Sequence, residues 1–182
     1  MRTTAEAWRF LARSEPLVSA DEVQAALARL AGEISAALAE AYPLALAVMG
    51  GAVVFAGQLL PRLHFPLDFD YIHVSRYGDA TRGGAIAWRV APPETVRGRV
   101  VLVLDDILDG GQTLCAVRER VLAAGAAAVR IAVLVEKRLP KPKPVNADFV
   151  GLYIPDRFVF GFGLDARGYW RNLPEIRALT ED

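Results

Sequence analysis

VVLVLDDILDGGQTL, residues 100–114, is the stretch on which the reading of the fold turns. It opens with an unbroken apolar run, as in a strand buried on both faces of a parallel sheet. Two adjacent carboxylates, Asp105 and Asp106, end that run, and Asp109 follows. Gly110 and Gly111 then allow a tight turn, and Thr113 opens a helix expected to reach about Ala124. A strand, a glycine turn and a helix N-terminus set backbone N–H groups around a concavity that suits a phosphate. Carboxylates beside such a cradle are costly unless they accept hydrogen bonds from sugar hydroxyls or help hold a cation. The GK[ST] ending of a P-loop and the GxGxxG dinucleotide fingerprint are both missing.

Outward from this stretch the pattern repeats. Leu44 to Met49 and Val129 to Val135 are further continuous apolar runs, and residues 68–75 and 148–154 also read as strands. Residues 85–90 form a further strand, and residues 176–179 a last short one. Ser19 and Glu22 have capping-box spacing, so a helix is expected from Ser19 to about Glu40, where Pro43 stops it. AVVFAGQLLPRL, after Gly50 and Gly51, reads as a helix ending near Pro61. Residues 76–84 are a glycine-rich loop, and Lys141 and Lys143, set among Pro140, Pro142 and Pro144, read as a solvated connection. Trp8, Phe10 and Leu11 mark a segment that docks on something apolar. Buried strands alternating with helices imply an α/β fold, a mostly parallel twisted sheet with helices on both faces. Ligands then bind at the carboxyl ends of the strands.

Composition narrows the classes. One domain over residues 1–182 is expected, and 53% hydrophobic with 23% charged residues excludes disorder. Lysine plus arginine equals aspartate plus glutamate at 21 each, so no nucleic-acid partner is expected. The single cysteine, Cys115, excludes an intrachain disulfide and a cysteine-built zinc site. His64 and His73 have no partners at metal-ligand spacing. Residues 121–135, the most apolar stretch, are interrupted by Gly125 and Arg130 and are too short to span a bilayer. Arg9, Arg13 and Glu15 stand where a signal peptide would be apolar. A soluble, cytoplasmic protein with no membrane partner is expected.

VVLVLDDILDGGQTL resembles the phosphoribosyl pyrophosphate (PRPP) motif of type I phosphoribosyltransferases. HVSRYG at 73–78 resembles the mobile loop of that family, and VEKR at 135–138 its purine-contacting lysine segment. DFVGLYIPDRFVFGFGLD at 148–165 and YWRNLPEI at 169–176 resemble the C-terminal region of the hypoxanthine-guanine phosphoribosyltransferases. The resemblance implies the type I fold, with a small hood built from the N- and C-terminal segments. It implies transfer of a 5-phosphoribosyl group from PRPP to hypoxanthine or guanine, forming IMP or GMP and pyrophosphate with Mg2+, in a homodimer or homotetramer. Carried over, Asp105 and Asp106 engage the ribose hydroxyls, directly or through metal, and Asp109 accepts a proton at purine N7. Gly110, Gly111, Gln112 and Thr113 cradle the 5′-phosphate. Lys137 donates to the 6-oxo group, Phe158 stacks on the base and the backbone of Val159 reads its edge. Asp165 helps hold magnesium on the guanine-amino side. Met49, Gly50 and Arg171 receive pyrophosphate, and Ser75 and Tyr77 ride on the closing loop.

The sequence also departs from the family pattern. Met49 replaces a lysine common in the family, Gly110 a Thr or Ser, and Gln112 a lysine or leucine. These changes are expected to weaken PRPP binding rather than abolish it. They keep two alternatives open: a nucleotide-sensing regulator on the same fold, and a xanthine- or pyrimidine-directed phosphoribosyltransferase. The family's pyrophosphate loop often holds a non-proline cis peptide, expected here at Val48–Met49.

Overall fold

The computed structural model describes residues 2–76 and 86–180. The chain runs through α1 (Thr4–Ala12), β1 (Ser14–Val18), α2 (Ala20–Leu38), β2 (Leu44–Met49) and α3 (Ala52–Leu59), continued by a 3-10 turn over Leu60–Arg62. β3 (Asp68–Arg76), β4 (Ile86–Val90), β5 (Val100–Leu108), α4 (Gln112–Ala123), β6 (Ala128–Lys137), β7 (Phe149–Ile154), β8 (Val159–Phe160) and β9 (Ile176–Leu179) complete it.

Six strands form one sheet in the order β4-β3-β2-β5-β6-β7, parallel throughout except for the antiparallel edge strand β4. Alternate residues of each central strand point to opposite faces. Ala45, Ala47, Leu102, Leu104, Ala132 and Leu134 pack beneath α2 and α3 with Leu27, Leu30, Ile34 and Phe55. Leu46, Val101, Val103, Ile131 and Val133 face α4 through Leu114, Val117 and Val121. The continuous apolar runs therefore mark strands covered by helices on both sides. In β3, Ile72 supplies the buried face, while Phe69 and Tyr71 are exposed.

The capping box at Ser19 and Glu22 is formed, and α2 closes at Leu38, slightly before the expected end. β5 extends past the carboxylates to Leu108, because β6 continues the parallel ladder beside it as far as Leu108↔Glu136. α4 begins at Gln112, with Gly111 in the left-handed conformation at its N-cap. The first residues form α1 and β1, and β1 pairs antiparallel with β9, which pairs with β8. This three-stranded hood joins the N- and C-terminal segments, as the resemblance implied.

Strand order reverses between β2 and β5. From β2 the chain moves outward through β3, and from β5 it moves the other way through β6 and β7. The crevice at the carboxyl ends of β2 and β5 is therefore where an open sheet of this kind takes its ligand.

Candidate active site

A cavity of about 440 Å³ opens at that crevice, within the usual range for small-molecule sites. β2 delivers Met49 and Gly50 to it, and β5 with its following turn delivers Asp105, Asp106, Asp109, Gly110, Gly111 and Thr113. β6 delivers Lys137, and the hood delivers Phe158, Val159, Leu164, Asp165 and Arg171. Gln112 is exposed and does not line the cavity. Ser75 also lies off the wall, its hydroxyl buried without a partner among the described residues, while the neighbouring Val74 lines the cavity. Tyr77 lies outside the described residues.

The phosphate turn is built as the residues suggested. Gly111 has φ +84, and no side chain caps the helix it opens. The first turn of α4 thus presents a helix N-terminus to the cavity, where an anion is favoured. Asp105 and Asp106 stand behind this turn, both buried. The Asp106 amide donates to Asp105 Oδ1 at 3.0 Å. Burial pushes the Asp105 carboxyl well above the ordinary aspartate range, and the charge of Asp106 pushes the same way. Burial raises Asp106 too, opposed by its hydrogen bond to Asp105 and by the positive charge of Arg171. Two adjacent carboxylates out of water cannot both ionise easily, so the pair binds a proton more readily than ordinary aspartates do.

Lys137 Nζ lies 3.1 Å from Asp109 Oδ2 and 3.4 Å from Asp156 Oδ1. Its side chain is 11% exposed, whereas Asp109 is 53% exposed. An ammonium has three N–H donors, so one is left for a ligand oxygen. Phe158 stands half-exposed at the rim. Arg171 pairs with Asp165 and also donates to the Gly163 carbonyl, while Asp165 accepts from the Gly168 amide.

At Met49–Gly50 the peptide bond is cis. This corrects the expected place by one residue. The β2–β3 ladder is unbroken through Met49↔His73, so the Val48–Met49 peptide belongs to the strand and the turn begins beyond it. Gly51 follows, packed so tightly that a Cβ there would overlap the Asp106 carboxylate.

Residues 18–167 match the phosphoribosyl transferase domain family. The chain is 34% identical over 164 residues to the hypoxanthine-guanine phosphoribosyltransferase of Bacillus subtilis, covering 90% of this chain and 91% of that protein. The chain belongs to the hypoxanthine-guanine phosphoribosyltransferase family. It is a purine-salvage transferase, as the PRPP-like motif and the C-terminal segments implied. A hypoxanthine phosphoribosyltransferase from Staphylococcus aureus superposes with a TM-score of 0.85 at 28% identity, over 91% of each chain. A bifunctional TilS/HprT protein of Listeria innocua is 35% identical over 91% of this chain, which spans 26% of that longer protein.

Three features of this hypoxanthine-guanine phosphoribosyltransferase-family site escaped the sequence reading. Asp156 touches Lys137, and Gly51 is held against Asp106. Lys143, read as a solvated loop residue, is buried instead: its side chain is 8% exposed and its ammonium is fully hydrogen-bonded. Cys115, expected in the core or on a helix face, is partly exposed on α4. Its thiol is raised by burial and by the charge of Glu119, which does not suit a nucleophile.

Proposed function

We propose that the protein joins the 5-phosphoribosyl group of PRPP to N9 of hypoxanthine or guanine and releases pyrophosphate. The observation that carries this reading is the 3.1 Å contact of Lys137 with Asp109 in the wall of a cavity that the phosphate turn also lines. It sets a cationic donor and a carboxylate acceptor side by side, as the neighbouring O6 and N7 on one edge of a planar purine require.

In this reading the amides of Gly110, Gly111, Gln112 and Thr113 hold the 5′-phosphate, and Asp105 and Asp106 accept from the ribose hydroxyls. Lys137 donates to the 6-oxo group while Phe158 covers the ring and the Val159 backbone meets its edge. The N9–C1′ bond forms as the bond from C1′ to the pyrophosphate oxygen breaks, through an oxocarbenium-like transition state. Asp109 takes the purine proton from N7 as positive charge develops on the ring. Arg171, released from Asp165, receives the departing pyrophosphate beside Met49 and Gly50. Ser75 and Tyr77 belong to the segment that excludes water.

Among the described residues, no three His, Cys, Asp or Glu side chains cluster as a metal cage. Asp105, Asp106 and Asp165 are nevertheless hard oxygen donors, suited to Mg2+ that keeps phosphate and water as its other ligands. Bound there, Mg2+ would neutralise charge on the leaving pyrophosphate. No helix among the described residues is long and apolar enough to cross a membrane. We take the protein to be cytoplasmic and a homodimer or homotetramer, with Trp8 still exposed on α1 as a candidate contact.

The test is incubation with PRPP, Mg2+ and each of hypoxanthine, guanine, xanthine, adenine and uracil, following nucleotide formation. Turnover is expected with hypoxanthine and guanine. An ammonium cannot accept from the 6-amino group of adenine, and a mispaired buried donor costs about 1–3 kcal/mol, so adenine should be a poor substrate. Efficient use of adenine would overturn the assignment of Lys137. Nucleotide binding with no turnover on any base would favour the regulator.

A further inference from the structure

Lys143 lies in the proline-rich connection between β6 and β7, yet its ammonium reaches back to the ends of two strands. Nζ donates to the Leu108 carbonyl at 3.1 Å, the Lys137 carbonyl at 2.6 Å and Glu136 Oε1 at 3.0 Å. All three of its N–H groups are thus used. Leu108 is the last residue of β5 and immediately precedes Asp109, while Lys137 is the last residue of β6. These carbonyls stand where the parallel ladder stops, and buried backbone acceptors need partners. The stem of Lys143 serves a third segment. A Cβ on Gly111 would stand 3.4 Å from Lys143 Cβ and 3.1 Å from Pro144 Cδ, so the connection packs directly on the phosphate turn. Pro142 and Pro144 on either side of Lys143 restrict its backbone in advance.

We infer that Lys143 is a positioning residue of the transfer reaction. It ties the strand end that carries Asp109 to the strand end that carries Lys137, and so holds those two side chains side by side where they share one purine. The inference rests on the roles proposed above for Asp109 and Lys137. Lys143 does not line the cavity and touches no substrate in that reading. A simple ion pair with Glu136 would need one of the three hydrogen bonds. The other two go to main-chain carbonyls at the two strand ends, and these fix geometry rather than balance charge.

The experiment compares wild type, Lys143→Met, Glu136→Gln and the double variant Lys143→Met/Glu136→Gln. Methionine keeps the stem against Gly111 and removes the donors. Single-turnover formation of nucleotide from hypoxanthine, the hypoxanthine KM, PRPP affinity and Tm are measured for each. Lys143→Met should slow the single-turnover step on the order of 10²-fold, the usual consequence of misplacing a reacting group by about 1 Å. It should raise the hypoxanthine KM and leave PRPP affinity unchanged. The double variant no longer leaves the partly exposed Glu136 carboxylate without its cation, so it should regain part of the lost Tm and remain slow. Wild-type rates in Lys143→Met would overturn the inference. So would recovery of the rate together with Tm in the double variant, which would mark a purely structural role, even if Lys143→Met alone failed to fold. An inactive wild type would instead remove the proposed function, and an active wild type beside an unimpaired Lys143→Met would remove only the role of Lys143.

Discussion

Asp105 and Asp109 stand four positions apart in one segment, yet the fold gives them opposite surroundings. Asp109 lines the open cavity beside Lys137, where the proposed function has it take a proton from a bound base. Asp109→Asn keeps the shape and removes the acceptor. Turnover should fall roughly 10²–10⁴-fold, with PRPP affinity measured by calorimetry little changed, and equal losses in both would refute the proton-transfer role. Asp105 is buried, with its carboxyl held well above the ordinary aspartate range, chiefly by burial. The folded state therefore binds a proton that the unfolded state gives up near pH 3.8. Its contribution to stability is fully present below that value and is lost as pH climbs toward the raised folded value. Ligand-free protein should lose Tm over that rise, and Asp105→Asn should flatten the slope and raise Tm at its alkaline end. A Tm profile identical to wild type would show that the carboxyl is not buried as a proton holder.

Among the elements, the turn from β2 into α3 is the most tightly constrained part of the site. Gly51 has an ordinary helical φ of −64, so its need for glycine comes from contact and not from backbone freedom. Gly51→Ala should drive the Asp106 carboxylate from its place, costing about 1–3 kcal/mol by overpacking and most of the activity. Gly57, inside α3, has nothing within 4 Å of its absent Cβ. Gly57→Ala should therefore stabilise the helix by about 0.5–1 kcal/mol, which makes it the matched control in thermal denaturation. Equal Tm values for the two variants would contradict the close approach at Gly51. The central strands, the capped α2 and the phosphate turn were readable in the sequence because each rests on a local signal: apolar continuity, a capping pair or paired glycines. What the sequence did not show depends on neighbours. β5 runs on to Leu108 because β6 is there to pair with it. β8 is two residues long and exists because β9 lies beside it. Lys143 among prolines has the local appearance of a solvated loop, and its burial comes from strand ends that converge only in the folded chain.

Across the molecule, the hood couples the first helix to the Arg171 side of the cavity. Trp170 Nε1 donates to the Ala7 carbonyl at 2.7 Å, and its ring meets Trp8 edge-on with centroids 5.0 Å apart. Arg171 is the next residue along. Trp170→Phe keeps an aromatic ring and removes the donor, a loss of about 1 kcal/mol. The expected reading is a Tm lower by roughly 2–4 °C and faster proteolytic clipping within α1, whereas an unchanged clipping rate would mean that α1 is held by other contacts.

The pairing of β1 with β9 bears on the order in which the chain is assembled. Arg177 Nε reaches Ser14 Oγ across 163 positions of sequence, with β9 seated antiparallel on β1. Contacts between such distant positions are late and slow to form, because the loop they close spans all 163 of those positions. During synthesis, β1 must wait at the ribosome's exit until β9 has been translated. The wide sheet and the glycine turn after β5 can consolidate earlier. A nascent chain halted before Ile176 would thus own an open crevice without the hood that walls it on one side, so the completed cavity belongs only to chains translated past β9.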